Sequence, residues 1–305
     1  MRIVDRLIAN SLPVVPKPLV RHFADRYMAG ETRAEALDTV RRLNSAGALA
    51  TLDVLGESVS QEAQARATAD EYIGLLDDVA AANLNATVSV KLTAFGLEIE
   101  QALALENVRR VVEAADRHGN FVRIDMEHSS VTDQTLAVYK ALRAEGRDNV
   151  GIVLQAYLRR TFDDVRALAD LTPSVRLVKG IYIEPPEIAY TERALINRNF
   201  LALLRELVDL GCRVAVATHD EALVGEARRL ADQRRLEPDR YEFQLLLGVK
   251  EPLRDRLIAA GHRVRIYTPY GEAWYGYSLR RLKENPSIAG YVARDVVRTI
   301  VPGMR

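Results

Sequence analysis

The chain has 305 residues, 48% of them hydrophobic, enough to bury one large α/β core. Lys plus Arg and Asp plus Glu both number 42, so the formal net charge is zero and no basic excess marks a nucleic-acid partner. The single cysteine, Cys212, excludes an intramolecular disulfide and a cysteine-based zinc site, and its place at the head of an apolar run reads as inert burial.

No uninterrupted apolar run reaches the 18 or so residues of a transmembrane helix. MRIVDRLIAN lacks the long apolar core of a signal peptide, and with the lone cysteine this points to the cytoplasm. Residues 3–20 are mildly amphipathic and broken by Pro13, Pro16 and Pro18. They read as a docking arm of the fold, with contact to a membrane surface or a partner as the alternative.

Residues 1–45 predict helices ahead of the first strand. Runs rich in Val, Ile, Leu, Thr and Tyr then recur at 48–56, 86–93, 121–126, 151–155, 175–180, 213–218, 241–246 and 264–268. Several are apolar on both faces, as buried parallel strands are. Helical periodicity fills the intervals at 61–82, 97–118, 132–144, 189–210, 221–235 and 253–260. Thr161 and Asp220 are candidate N-caps, and Gly211 and Gly261 candidate helix stops. Eight β units with no Pro/Gly/Ser-rich linker predict one (β/α)₈ TIM barrel over 46–305, preceded by the helical arm of 1–45.

Barrel chemistry sits where strands end. Those ends carry Asp53 and Glu57, Lys91, Asp125 and Glu127, Gln155 and Tyr157, Arg176 and Lys179, Thr218-His219-Asp220, Glu242 and Gln244, then Arg265 and Tyr267. Buried charges need partners or a ligand, so this rim is the candidate site. The segment YSLRRLKE follows the last strand and places Tyr277, Arg280, Arg281 and Glu284 on one helical face.

Other motifs are absent. No G-x-G-x-x-G follows a strand, and Tyr277-Ser278 stands where a P-loop has its Lys-Ser/Thr pair. H-E-x-x-H and G-x-S-x-G do not occur. His128 and His219 lie near strand ends, each alone on its loop, so no metal is expected. Lys91 or Lys179 could serve a Schiff-base aldolase. An ion pair, Lys91 with Asp125, is the plainer reading. A binding barrel without chemistry is a third.

In order along the chain, DVLGE, VKLT, RIDME, LQAYL, RLVKGIY, ATHD, EFQLLLG, RIYTPYG and Y-x-x-R-R-x-x-E resemble the proline dehydrogenases. The resemblance covers roughly residues 52–284. With the last motif close to the end of the sequence, the resemblance is to the monofunctional bacterial enzymes, and no aldehyde dehydrogenase half is expected. The resemblance implies a distorted barrel with extra N-terminal helices, binding FAD without a Rossmann fold. It implies oxidation of L-proline to Δ1-pyrroline-5-carboxylate, the first step of proline catabolism to glutamate. Electrons would pass to membrane ubiquinone or menaquinone, with peripheral contact at the inner face of the membrane.

By the same resemblance, Arg280, Arg281 and Lys91 bind the proline carboxylate, while Tyr267 and Tyr277 wall the ring. Glu57 pairs with the first arginine as a gate, and Asp125 braces Lys91 and the nearby arginine network. Arg176 lies near flavin N5. Gln155, Lys179, Gly180, Tyr182, Thr218, His219 and Glu284 contact the rest of the cofactor, with Glu284 alternatively holding the two arginines in place. Ile181 stands where the family often has alanine, and Tyr270 where it has valine.

Overall fold

The computed structural model of the chain describes residues 26–275 together with Tyr277 and Ser278. Eight parallel strands close into a barrel in sequence order, β1 beside β2 and finally β8 beside β1. The strands are β1 (Leu49–Val54), β2 (Ala86–Val90), β3 (Val122–Ile124), β4 (Val150–Gln155), β5 (Ser174–Val178), β6 (Arg213–Ala217), β7 (Tyr241–Leu246) and β8 (Val264–Tyr270). Helices α1 (Arg33–Ser45), α2 (Glu62–Ala81), α3 (Gln101–Arg117), α4 (Thr132–Ala144), α5 (Thr161–Ala167), α6 (Arg193–Asp209), α7 (Glu221–Gln233) and α8 (Glu251–Ala259) surround it. Each predicted strand is present.

The helix ends follow local chemistry. Thr32 and Glu35 form a reciprocal capping box at the start of α1. Asp220 caps α7 by accepting from the Ala222 N–H. Gly211 and Gly261 follow the final helical caps of α6 and α8, where helix stops were expected. Thr161 differs from expectation. Arg160 is the N-cap of α5, and the Thr161 hydroxyl instead donates to the Gln155 carbonyl at 2.6 Å.

The two faces of the sheet divide by chemistry. Leu52, Val88, Ile124, Ile152, Leu177 and Val216 are buried in the apolar layer between strands and helices. Alternate residues point the other way: β4 and β6 stay largely apolar there too, with Val153, Ala215 and Ala217, whereas other strands turn polar groups inward. In β7, Phe243 and Leu245 join the apolar core, while Glu242 and Gln244 reach arginines from β8 and β5 inside the barrel. Many barrels fill this space with branched aliphatics. Here ion pairs and hydrogen bonds occupy much of it.

Two guanidiniums span the N-terminal end. Arg265 donates to the Ala50 carbonyl on β1 and pairs with Glu242 on β7, both at 2.8 Å. Arg123 reaches from β3 past β4 to β5, donating to Ser174 O at 2.5 Å and Ser174 Oγ at 2.9 Å. It passes over Gly151, where a Cβ would collide with the guanidinium and lie 2.6 Å from the Ser174 carbonyl oxygen. Gly151→Ala is therefore expected to destabilise the fold by about 1–3 kcal/mol, the usual cost of overpacking. A fall in the urea midpoint at unchanged slope would show it, whereas an unaltered midpoint would mean that Arg123 repacks freely.

Candidate active site

The C-terminal rim opens into a cavity of about 780 Å³. Lys91, Asp125, Tyr267, Tyr277 and Glu57, expected at the substrate, line it together with Gln155, Arg176, Lys179, Gly180, Tyr182, Thr218 and His219, expected at the cofactor. Arg280, Arg281 and Glu284 lie outside the described residues, as do residues 1–25 of the N-terminal arm. Asp53, Arg193, Asp220 and Gln244 also line the cavity. The sequence displayed three of them at strand ends or a cap without showing what they join. Arg193 was hidden within a helix pattern that starts later than its periodicity suggests. An isolated bridge between Leu158 and Ala189 holds residues near 189 out of α6.

At one end of the cavity, carboxylates and cations alternate. Lys91 Nζ donates to Asp53 Oδ1 at 2.5 Å and to the Tyr267 hydroxyl at 3.3 Å. Asp53 on β1, not Asp125, is thus the direct partner of Lys91. Both flanking strands offer a carboxylate, and the barrel's stagger decides between them. The Tyr267 hydroxyl donates to Asp125 Oδ2 at 2.9 Å. Arg176 Nη1 donates to Asp125 Oδ1 at 2.5 Å, and its Nη2 to Ser89 Oγ at 2.9 Å. Its guanidinium also lies over the Tyr267 ring, 5.3 Å from the centroid.

Burial works against the Lys91 charge, but Asp53 and Asp125 outweigh it and raise its pKa above that of an ordinary lysine. A Schiff-base lysine needs the opposite shift, towards a free amine. Lys91 is therefore built as a fixed cation, which argues against an aldolase built on Lys91.

The other end gathers donors around Asp220. Its Oδ2 accepts from Lys179 at 2.9 Å, Arg193 at 3.1 Å and Asn197 at 3.2 Å. Burial pushes the Asp220 carboxyl up, yet hydrogen bonds from Lys179 and Arg193 overcome this and hold it below the usual range. His219 Nε2 accepts from the Leu246 N–H at 3.0 Å, which leaves the neutral ring's proton on Nδ1. Between the two ends the wall includes Val153, Val178 and Ala217. Gly180 has φ +108°, and a Cβ there would enter the Tyr157 ring, so bare backbone is required at this wall.

Buried Glu127 ties the rim loops together. Its carboxylate accepts from Thr93 N at 3.1 Å and Thr93 Oγ1 at 2.5 Å, and its carbonyl accepts from Gln155 Nε2 at 2.9 Å. Thr93 in turn accepts from Ser58 N at 3.2 Å, directly after Glu57. Tyr270 serves elsewhere. It is buried, and its hydroxyl donates to Glu71 at 2.8 Å, on the α2 side of the sheet. Ile181 lines the cavity half-exposed, and Ile183 is fully exposed. Among the described residues, no three His, Cys, Asp or Glu are grouped to hold a metal ion. No described helix is long and apolar enough to cross a membrane.

Comparison with known proteins gives the family. The proline dehydrogenase family pattern matches residues 36–294. Proline dehydrogenase of Deinococcus radiodurans is 37% identical over 97% of this chain and 99% of its own length. Proline dehydrogenase 1 of Bacillus subtilis is 36% identical over 90% of this chain and 91% of its own. The solved structure of proline utilization A (PutA) from Bdellovibrio bacteriovorus, inactivated by N-propargylglycine, has a TM-score of 0.82 at 28% identity. That match covers 87% of this chain and only 33% of the longer one. The chain belongs to the proline dehydrogenase family.

Glu242 gives the site a pH signature. Burial raises its carboxyl pKa, but the Arg265 charge and hydrogen bonds reverse this and hold it at about 2, against an ordinary 4.5. A depressed carboxylate stabilises the fold above its unfolded value and loses that contribution as pH falls through the folded one. Wild type should lose stability between pH 4.5 and about 2. Glu242→Gln should start less stable, with Arg265 left unpaired, and fall less steeply over this range. Urea midpoints measured across the acid limb would check both, and parallel slopes would rule Glu242 out as a contributor.

Proposed function

We propose that this cavity oxidises L-proline to Δ1-pyrroline-5-carboxylate with FAD as the cofactor, and that the electrons pass on to a membrane quinone. The observation that carries the reading is one continuous cavity with a fixed lysine cation at one end and a Lys-Arg cluster at the other. Family membership supplies the activity, and the site chemistry is compatible with it.

The donor set suits FAD. Lys179, Arg193, Thr218 and His219 offer cations and polar groups for the diphosphate and its neighbourhood. Gln155, the bare backbone at Gly180 and the Tyr182 side chain suit a flat ring system, and the carboxylate of Glu284 would add an acceptor. FAD, when bound, supplies the hydride acceptor for the carbon beside the proline nitrogen. Arg176, buried in the barrel, would then face negative charge as it develops.

Substrate orientation falls to the other end. Lys91 gives a carboxylate one fixed charge, and Arg280 and Arg281 supply two planar forks. Tyr267 and Tyr277 offer flat apolar faces to the ring carbons. Glu57, in the cavity wall, would gate the mouth by pairing with the first of these arginines, and Asp125 holds Arg176 and Tyr267 in register. The reacting amine must be neutral, so that its lone pair forms the C=N bond as hydride leaves carbon and the N–H proton is lost. Quinone reduction calls for peripheral contact with the inner membrane surface by a cytoplasmic protein.

An absorbance spectrum before and after anaerobic L-proline tests the proposal directly. A flavin band that bleaches on addition is the expected result. A protein that stays colourless and takes up no added FAD would overturn it. Arg280→Met and Arg281→Met should each raise KM for proline roughly 10- to 100-fold, since a charge-assisted contact contributes about 1.5–3 kcal/mol. Wild-type KM in both variants would move the carboxylate site elsewhere.

A further inference from the structure

Inside the barrel, a second set of groups stands behind Arg176 and takes no part in the chemistry described above. Arg176 Nε donates to Gln244 Oε1. Gln244 Nε2 donates to Glu242 Oε1 at 2.5 Å. Glu242 is clasped by Arg265, from Nε at 2.8 Å and from Nη2 at 3.1 Å. Arg176, Gln244 and Arg265 are buried, and Glu242 is nearly so.

The order of these groups fixes the direction of every bond. A guanidinium only donates and a carboxylate only accepts. Gln244 sits between one of each, so its amide must turn oxygen towards Arg176 and nitrogen towards Glu242. The flipped amide would face donor to donor and acceptor to acceptor in a buried site. Glutamate at 244 would set a second carboxylate against Glu242. An aliphatic side chain would leave both neighbours short of a partner.

We infer that Gln244, locked by the Glu242–Arg265 pair, is a positioning residue that aims Arg176 at the reacting end of the cavity. The inference rests on the reading above that Arg176 faces the ring accepting hydride. Arg176 is pulled from two sides, by Asp125 and by Gln244. Without the amide, Asp125 and Ser89 retain it, and the guanidinium moves towards the Asp125 carboxylate. Its charge is then more fully neutralised within the protein and less available to a ligand.

The test uses the FAD-loaded enzyme and three readouts: bound flavin, midpoint potential, and affinity for sulfite, which adds to the same ring position and leaves negative charge there. Gln244→Met, close in volume, should keep its flavin. It should weaken sulfite binding about tenfold and lower the potential by about 30 mV, the tenfold equivalent for two electrons. Its kcat should fall while KM for proline stays within about twofold. Arg176→Met should show larger shifts of the same sign.

If Gln244→Met keeps wild-type potential and sulfite affinity while Arg176→Met shifts both, Gln244 is only filling space and the inference is overturned. If Arg176→Met also shifts neither, Arg176 does not face the ring and the underlying reading falls with it. Should Gln244→Met fail to fold, the double variant Glu242→Met, Arg265→Met replaces the ion pair as a unit and leaves the amide free to turn. That variant should shift both readouts in the same direction by less, and wild-type values from it would equally overturn the inference.

Discussion

The Asp125 carboxylate stands between two cations. One of its oxygens takes Arg176 directly, and the other takes the Tyr267 hydroxyl, which itself accepts from Lys91. Buried charges of this kind are tolerable only when each is paired and hydrogen-bonded. The rest of the mouth follows from that requirement. Asp53 must lie beside Lys91, Gln244 must complete Arg176, and Glu242 and Arg265 must neutralise one another below.

Sign alternation along this series keeps like charges apart and gives each side chain one orientation. An aliphatic filling would pack as tightly and leave nothing to orient. The polar filling makes the barrel interior a scaffold for the rim, because strand-borne groups hold more accurately than loops do. Glu127 extends the same principle outward. Through Thr93 and Gln155 its single residue connects the loops after β1 and β2 with the ends of β3 and β4.

Much of this was legible in the amino-acid order. Lys91, Asp125, Arg176 and Tyr267 stand at the ends of strand-like runs, where side chains can only point into the rim or the core. Alternation in YEFQLL separates Phe243 and Leu245 from Glu242 and Gln244. The choice of Asp53 over Asp125 for Lys91 was not legible, since it depends on how neighbouring strands are staggered. Thr161 looked like a cap, but a backbone carbonyl across the turn competes for its hydroxyl. The link from Glu127 to Thr93 joins residues 34 apart, and no local periodicity reports it. Tyr270 showed as a departure from its family without revealing that it faces Glu71 on the outer side of the sheet.

The two guanidiniums at the N-terminal end have a wider effect on the molecule. Arg123 bridges β3 to β5, and Arg265 bridges β7 and β8 to β1. Each is a side-chain tie between strands far apart in sequence, 51 residues for Arg123 and Ser174 and 215 for Arg265 and Ala50, so the stagger of the barrel is braced at the end opposite the cavity.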